Sequence, residues 1–318
     1  MIRKLETFVA ALAVMLAGVA SAQPSLTLIE ARRRMLDPDI NALTFRSMEA
    51  LFDVQRVANE GQPWTLAEQP APLDFTYAFG GETHAAEDFL ERTYTNALIV
   101  LKDDRVVFER YLNNTGPDTH FISMSMAKSI TSNLIGMAIE DGHIDSVDDP
   151  IVAYVPELAG TGYDGVTIRQ ALLMRSGTNW DERYDFGRES PMQRLHDAAV
   201  VENRIRFVEP AFELESVQPP GEVFNYSTVE TAVLGVVLER AVGQPLPDYM
   251  SERWWKPAGM QSYGFWIADG PPGVGRAING MGFNATLRDY ARIGSMMLNG
   301  GRSRGRRSAS SNRSARSP

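Results

Sequence analysis

The sequence predicts an α+β fold in which an antiparallel sheet is flanked by helices, with an all-helical region inserted after a central helix. Two β-rich runs, Ala97–Leu101 and Val106–Tyr111, are joined by four polar residues and predict a hairpin. The run Ser125–Ile139 is apolar on nearly every side and is followed by Gly142, which predicts a buried helix with a glycine stop. Strands are therefore expected on either side of a helical middle.

Capping residues mark further helices. Thr167 and Gln170 form a capping-box pattern, and Ser227 and Glu230 form a second one ahead of an apolar run. A last helix is predicted over Leu287–Leu298, where an Asn-Gly pair follows the apolar residues.

The first residues of the chain have the order of a secretory signal. A basic start is followed by the apolar stretch Phe8–Val19 and then by the small residues Ala20, Ser21 and Ala22. We expect cleavage after Ala22, a periplasmic or secreted protein, and no membrane insertion once the signal is removed. An uncleaved anchor or a buried helix is the alternative, although the apolar stretch is short for a bilayer. The chain has no cysteine, which excludes a lipid-anchored cysteine, disulfides and thiol chemistry.

Charge is distributed unevenly along the chain. Residues 301–318 contain six Arg and no acid, so the remaining residues carry a net charge of −15 against −9 overall. Such an acidic body gives no reason to expect nucleic acid or an anionic membrane as a partner. The Arg/Ser segment 301–318 has too few apolar residues to pack a core, and we expect a basic disordered tail. It either binds acidic partners or, as we favour, is an artificial end of the reading frame.

An S-x-x-K motif stands at the start of the predicted buried helix, formed by Ser125 and Lys128. Residues three apart lie on the same helix face, so the Lys128 amine can reach the Ser125 hydroxyl. Burial disfavours the charged amine and makes it a better base, while the amides of the helix start can stabilise an oxyanion. A solvated helix start is the alternative for a lone match. However, Ser125, Lys128 and Ser132 form a polar stripe on an apolar helix, where an unpaired lysine is costly.

A tyrosine is the candidate partner of this pair. Tyr226 precedes the helix predicted from Ser227, at a corner that can aim a phenol at the nucleophile. A nearby ammonium lowers the pKa of a phenol, so serine, lysine and tyrosine together can pass a proton out and back. A core tyrosine with a single hydrogen bond is the structural alternative.

Taken in order, the motifs of the chain resemble those of the serine β-lactamase and penicillin-binding-protein superfamily, in particular its class C-like esterases and 6-aminohexanoate-dimer hydrolases. The resemblance extends from about Ala97 to Gly300. After the hairpin, it is carried by the segments Phe121–Lys128, Gly142–Pro150, Val166–Leu173, Met174–Gly177, Phe224–Thr228 and Ala285–Arg292.

The resemblance implies a β-lactamase-like fold and hydrolysis of an ester or amide through an acyl-serine. Ser125 is then the nucleophile, Lys128 its proton partner and Tyr226 the general base and acid, with no metal and no cofactor. Many relatives have Asn where this chain has Thr228, which makes Thr228 a candidate substrate contact. Trp180 is a second candidate that could line the pocket, although we favour a packing role for it.

One family motif is absent from the chain. Relatives carry K-T-G or H-x-G on a late strand, but this chain has no Lys after Lys256 and no His after His196. We therefore expect residues 81–300 to form an incomplete catalytic domain that lacks the last strands, preceded by a signal peptide (1–22) and an N-terminal extension (23–80).

The sequence leaves the substrate open among esters, β-lactams, D-peptides and short oligoamides, and it leaves the oligomeric state open as well. Two other interpretations remain. One is a penicillin-recognising protein that binds β-lactams without catalysis, and the other is an inactive truncated product.

Overall fold

The structure, a computed structural model, describes residues 25–184, 190–303 and 306–307. The predicted signal peptide and most of the Arg/Ser segment lie outside these ranges, so both remain predictions. None of the helices within the described ranges is long and apolar enough to cross a membrane.

Helices dominate the middle of the chain. The described α-helices are α1 (Leu26–Arg33), α2 (Asn41–Thr44), α3 (Met48–Leu51), α4 (Ala86–Arg92), α5 (Met126–Glu140), α6 (Ile168–Leu172), α7 (Pro191–Leu195), α8 (Thr228–Val242), α9 (Leu246–Met250), α10 (Lys256–Ala258) and α11 (Leu287–Leu298). Shorter 3₁₀ turns occupy Ile151–Ala153, Pro156–Leu158 and Glu209–Phe212, and π-helical turns occupy His196–Val201 and Ser251–Trp255.

Strands lie on either side of this helical region. The described strands are β1 (Val54–Val57), β2 (Ala67–Glu68), β3 (Thr76–Phe79), β4 (Glu82–Ala85), β5 (Ala97–Lys102), β6 (Arg105–Tyr111), β7 (His120–Ile122), β8 (Gly264–Ile267), β9 (Phe283–Thr286), β10 (Arg302–Ser303) and β11 (Arg306–Arg307). An antiparallel sheet has the order β1-β8-β9-β7, and a second sheet has the order β2-β6-β5. β3 pairs with β4 and β10 pairs with β11, both antiparallel. These antiparallel sheets and helices confirm the predicted α+β class.

The elements that local patterns predicted are present. β5 and β6 form the antiparallel hairpin, with Ala97 opposite Tyr111 and Lys102 opposite Arg105. α5, α8 and α11 are the three long helices that the sequence indicated. The first capping box is also confirmed, because the Thr167 amide donates to the Gln170 side chain (2.9 Å) and the Gln170 amide donates to Thr167 Oγ1 (3.2 Å).

The segment predicted as an N-terminal extension packs into the same body as the rest of the chain. β1 pairs with β8 along its whole length. Met35, Met48 and Phe52 are buried in the hydrophobic cluster that contains the side chains of α5 and α8. Residues 25–80 are therefore an integral part of the fold.

The two long helices α5 and α8 pack against each other in the core. Leu134 and Ile135 of α5 and Val233 and Val237 of α8 have almost no exposed surface. Burying each such side chain stabilises the fold by about 1.5–3 kcal/mol relative to leaving it in water. The packing of these two helices fixes the relative positions of the residues at their N-terminal ends.

The loop 278–282, between β8 and β9, lies across both helices. Thr131 Oγ1 on α5 donates to the Asn279 carbonyl (2.9 Å), and Asn279 Nδ2 donates to the Thr231 carbonyl on α8 (2.6 Å). Gly235 on α8 faces the buried Asn279 side chain so closely that a Cβ there would lie 2.7 Å from Nδ2. Glycine at position 235 therefore allows the loop to approach the helix.

Two glycine-to-alanine changes test this close approach. Gly235→Ala should lower the free energy of unfolding by about 1–3 kcal/mol, because the new methyl group overlaps a buried, hydrogen-bonded amide. Gly294→Ala is the matched control: Gly294 is an exposed glycine on α11 with open space around its Cβ position. Alanine at 294 should raise the free energy of unfolding by up to about 1 kcal/mol. Urea unfolding measures the change in unfolding free energy for both variants. Stabilisation by Gly235→Ala would contradict the packing described.

Candidate functional site

Ser125 lies at the junction between β7 and α5. The Ser123 amide donates to the Phe283 carbonyl on β9 (2.7 Å), which fixes the end of β7. Met124 then has a φ of 46°, a left-handed conformation that costs a non-glycine residue about 1–2 kcal/mol. This turn leaves Ser125 exposed at the start of α5. Strained backbone of this kind is concentrated at functional sites.

Lys128 lies on the first turn of α5 and is half-buried. Its Nζ atom is 3.4 Å from Ser125 Oγ and donates to the Gly280 carbonyl at 2.9 Å. The same atom lies 4.9 Å from the centroid of the Tyr226 ring. A carbonyl oxygen and an aromatic face both favour a cation. The structure therefore brings Ser125, Lys128 and Tyr226 together, with the amine in contact with both the hydroxyl and the phenol ring.

The backbone just before Tyr226 is fixed by two contacts with the segment that follows α6. The Asn225 amide donates to the Met174 carbonyl, and Asn225 Nδ2 donates to the Trp180 carbonyl, both at 2.8 Å. Tyr226 itself is half-buried, directly before the cap of α8. These two hydrogen bonds hold the phenol beside the Lys128 amine.

Gly280 contributes a backbone carbonyl to the site. A Cβ at this position would lie 2.5 Å from the Thr228 methyl carbon, so glycine allows the loop to lie directly against the start of α8. The contact between Lys128 and this carbonyl was not predicted from the sequence. Every residue type has a backbone carbonyl, so the sequence does not indicate which carbonyl accepts this hydrogen bond.

The two residues predicted to contact the substrate, Thr228 and Trp180, are both buried. The Thr228 amide and hydroxyl both donate to the Glu182 carboxylate. The Trp180 indole donates to Glu182 Oε2 at 2.7 Å, and its ring belongs to the hydrophobic core. The structure thus places Thr228 and Trp180 around Glu182 and not on an open surface.

Glu182 and Tyr184 extend this group, and sequence reasoning identified neither of them. The Tyr184 hydroxyl donates to Glu182 Oε1, while about half of the Tyr184 side chain is exposed. Burial, together with the hydrogen bond and the negative charge of Glu182, raises the pKa of Tyr184 above that of an ordinary phenol. The phenol of Tyr226 acts in the same direction. A single acid and a single tyrosine in a loop form no pattern that a sequence could reveal.

The polar side chains of the site described above are the hydroxyls of Ser125 and Thr228, the amine of Lys128, the phenols of Tyr226 and Tyr184, the carboxylate of Glu182 and the indole of Trp180. Within the described residues, no group of three His, Asp or Glu side chains is arranged to hold a metal ion. A hydroxyl within hydrogen-bond reach of an amine is one arrangement that can activate a serine nucleophile.

Known proteins share this sequence pattern. The family model described as "Beta-lactamase" matches residues 83–317. The chain is 32% identical over 267 residues to the 6-aminohexanoate-dimer hydrolase of Paenarthrobacter ureafaciens, an alignment that covers 82% of this chain. It spans only 65% of that relative's length.

Solved structures share the fold. A Bacillus anthracis protein assigned as a 6-aminohexanoate-dimer hydrolase superposes with a TM-score of 0.78 at 24% identity, over 91% of this chain and 76% of that one. A Bacteroides dorei DSM 17855 protein assigned as a beta-lactamase gives a TM-score of 0.54 at 25% identity, over 70% of this chain and 64% of that one. Because the family model matches most of the chain, the chain belongs to the beta-lactamase family, within the serine β-lactamase and penicillin-binding-protein superfamily.

Proposed function

We propose that this protein is a serine hydrolase that cleaves an ester or amide through an acyl-serine intermediate. The observation that carries the proposal is the position of Lys128 Nζ, 3.4 Å from Ser125 Oγ and over the ring of Tyr226. Membership of the beta-lactamase family supports the same reaction class, since the curated relative is named a 6-aminohexanoate-dimer hydrolase.

In the first half of the reaction, Ser125 Oγ bonds to the substrate carbonyl carbon and gives up its proton. Tyr226 is the general base, and the adjacent Lys128 ammonium stabilises the phenolate and relays the proton. The carbonyl oxygen gains the negative charge, which the backbone amide of Ser125, directly before α5, stabilises. The proton then passes to the leaving alcohol or amine as its bond to the carbonyl carbon breaks.

In the second half, water replaces the leaving group. The same base removes a proton from the water as its oxygen bonds to the acyl carbon, and the proton returns to Ser125 Oγ as the acid product leaves. Each group ends in its starting protonation state.

The substrate that we propose is a short amide or ester with an apolar segment. Met126 directly follows the nucleophile and Phe224 lies two residues before Tyr226, and their side chains are 57% and 60% exposed. Exposed apolar side chains beside reactive groups are typical of a surface that binds apolar ligand atoms. The curated relative is named for a dimer of an aminohexanoate, which supports a linear amide.

Covalent labelling tests the nucleophile. Incubation with a fluorophosphonate should add one phosphonyl group to the wild-type chain and none to Ser125→Ala, as read by intact mass. Circular dichroism of both samples shows that they are folded. A labelled Ser125→Ala protein, or an unlabelled but folded wild type, would remove Ser125 from the reaction. Turnover of a short p-nitrophenyl ester beyond one equivalent separates a hydrolase from a protein that only becomes acylated.

The roles of the amine and the phenol predict large losses of rate. Lys128→Met and Tyr226→Phe should each slow fluorophosphonate labelling by about 10²- to 10⁴-fold, because each removes one member of the proton path. Lys102→Met and Tyr154→Phe are matched controls: Lys102 is exposed on β5, and the Tyr154 hydroxyl donates to Asp149. Both controls should label at the wild-type rate. Wild-type rates in the two site variants would contradict the proposed proton path.

A further inference from the structure

Glu230 does not complete the capping box that the sequence predicted. Its amide donates to Ser227 Oγ at 3.1 Å, as expected for a cap. Its carboxylate, however, turns away from the cap: Oε1 accepts from the Ser176 amide (3.3 Å) and from the Ser176 hydroxyl. Glu230 has no exposed surface, although it lies only four residues after Tyr226. A fully buried acid so close to the candidate base needs an explanation other than capping.

The partner of Glu230 belongs to the segment that holds Tyr226 in place. Residues 174–179 are paired with residues 215–225 by backbone hydrogen bonds, with the Gly177 carbonyl accepting from the amides of Val217 and Gln218. Gly177 has a φ of 80°, and a Cβ there would lie 2.1 Å from the Gln218 carbonyl oxygen, so this pairing is tight. The contact between Glu230 and Ser176 therefore joins the first turn of α8 to the backbone that also anchors Asn225.

The surroundings of Glu230 favour an uncharged carboxyl group. Among the described residues, the ionisable groups that interact with it are Glu182, from the segment after Trp180, and the phenol of Tyr163, from the turn before α6. Among the residues that the structure describes, no hydrogen-bond partner is found for Glu230 Oε2 or for the buried Tyr163 hydroxyl. An ionised Glu230 would thus be a buried anion whose charged neighbour is a second carboxylate.

The electrostatics agree with this geometry. Burial, and to a smaller extent the negative charge of Glu182, raises the pKa of Glu230 to about 7, although the two hydrogen bonds from Ser176 act in the opposite direction. The group therefore changes its charge near neutral pH, where a hydrolase would work.

We propose that Glu230 is a positioning residue for Tyr226 that acts in its protonated form. As an uncharged acid it holds the first turn of α8 against Ser176 and keeps the phenol beside Lys128. When it ionises, repulsion from Glu182 and the cost of an uncompensated buried charge favour separation of these elements. This inference rests on the proposed function for its effect on rate. Its effect on stability is independent of that function.

The sign of the stability effect follows from the raised pKa. The folded protein keeps a proton on Glu230 that the unfolded chain has lost, so the contribution of this group to stability is full below about pH 4.5 and is lost as pH rises through about 7. Glu230→Gln places a permanent uncharged amide at this position. In this variant, the free energy of unfolding should therefore change less between about pH 4.5 and pH 7 than it does in the wild type.

Labelling rates as a function of pH test the proposal. The ratio of the Glu230→Gln rate to the wild-type rate should rise about tenfold between about pH 6 and pH 8, as one proton with a pKa near 7 is lost from the wild type. Glu239→Gln is the matched control, because Glu239 is a mostly buried glutamate on the same helix that pairs with Arg276. Its ratio to the wild type should not change across this range. A constant ratio for Glu230→Gln would overturn the inference.

Two further readouts keep the test decisive. In the wild type, the labelling rate should fall as pH rises and Glu230 ionises. Ser176→Ala removes a hydrogen bond that lowers the pKa of Glu230, so in this variant the fall should occur at higher pH. A fall at the wild-type pH counts against the inference even if Glu230→Gln does not fold. A wild type that is never labelled would overturn the proposed function together with the effect of Glu230 on rate. In that case, unfolding measured against pH still tests the protonated carboxyl group, and identical profiles for wild type and Glu230→Gln would overturn it as well.

Discussion

The contacts of the Lys128 amine constrain the rest of the described site. An ammonium half-buried at the start of an apolar helix is costly unless acceptors surround it. Here the acceptors come from three parts of the chain: the hydroxyl of Ser125, the carbonyl of Gly280 and the ring of Tyr226. Helix α5, the loop 278–282 and the start of helix α8 must therefore meet at one point. The packing of α5 on α8 and the hydrogen bonds of Asn279 hold them there.

Two carboxylates form hydrogen bonds at the first turn of α8, close after Tyr226 in the chain. Glu182 accepts hydrogen bonds from Trp180, Thr228 and Tyr184. Glu230 accepts its hydrogen bonds from Ser176. Burial, and to a smaller extent repulsion from Glu182, raises the pKa of Glu230 and favours its protonated form. In this account, the orientation of the general base depends on a second proton that takes no part in the chemical steps.

The sequence predicted those features that are encoded locally. The hairpin, the long helices and the Thr167 capping box depend on neighbours a few residues apart, and so does the contact between Ser125 and Lys128. Contacts between distant residues were missed: the Gly280 carbonyl lies 152 positions from Lys128, and Ser176 lies 54 positions from Glu230. The same limitation explains the second capping box, because a buried partner competed successfully for the Glu230 carboxylate. Tyr226 became a candidate because it directly precedes the helix predicted from Ser227, and the resemblance to a known family then implied its role as general base and acid.

The measurement that tests the central claim most directly is a crystal structure of the fluorophosphonate-treated protein. The account predicts phosphorus bonded to Ser125 Oγ, with the Lys128 amine and the Tyr226 hydroxyl both within about 2.6–3.2 Å of that oxygen. An adduct on another residue, a Lys128 side chain directed into solvent, or a phenol too far from Oγ to share a proton would contradict it.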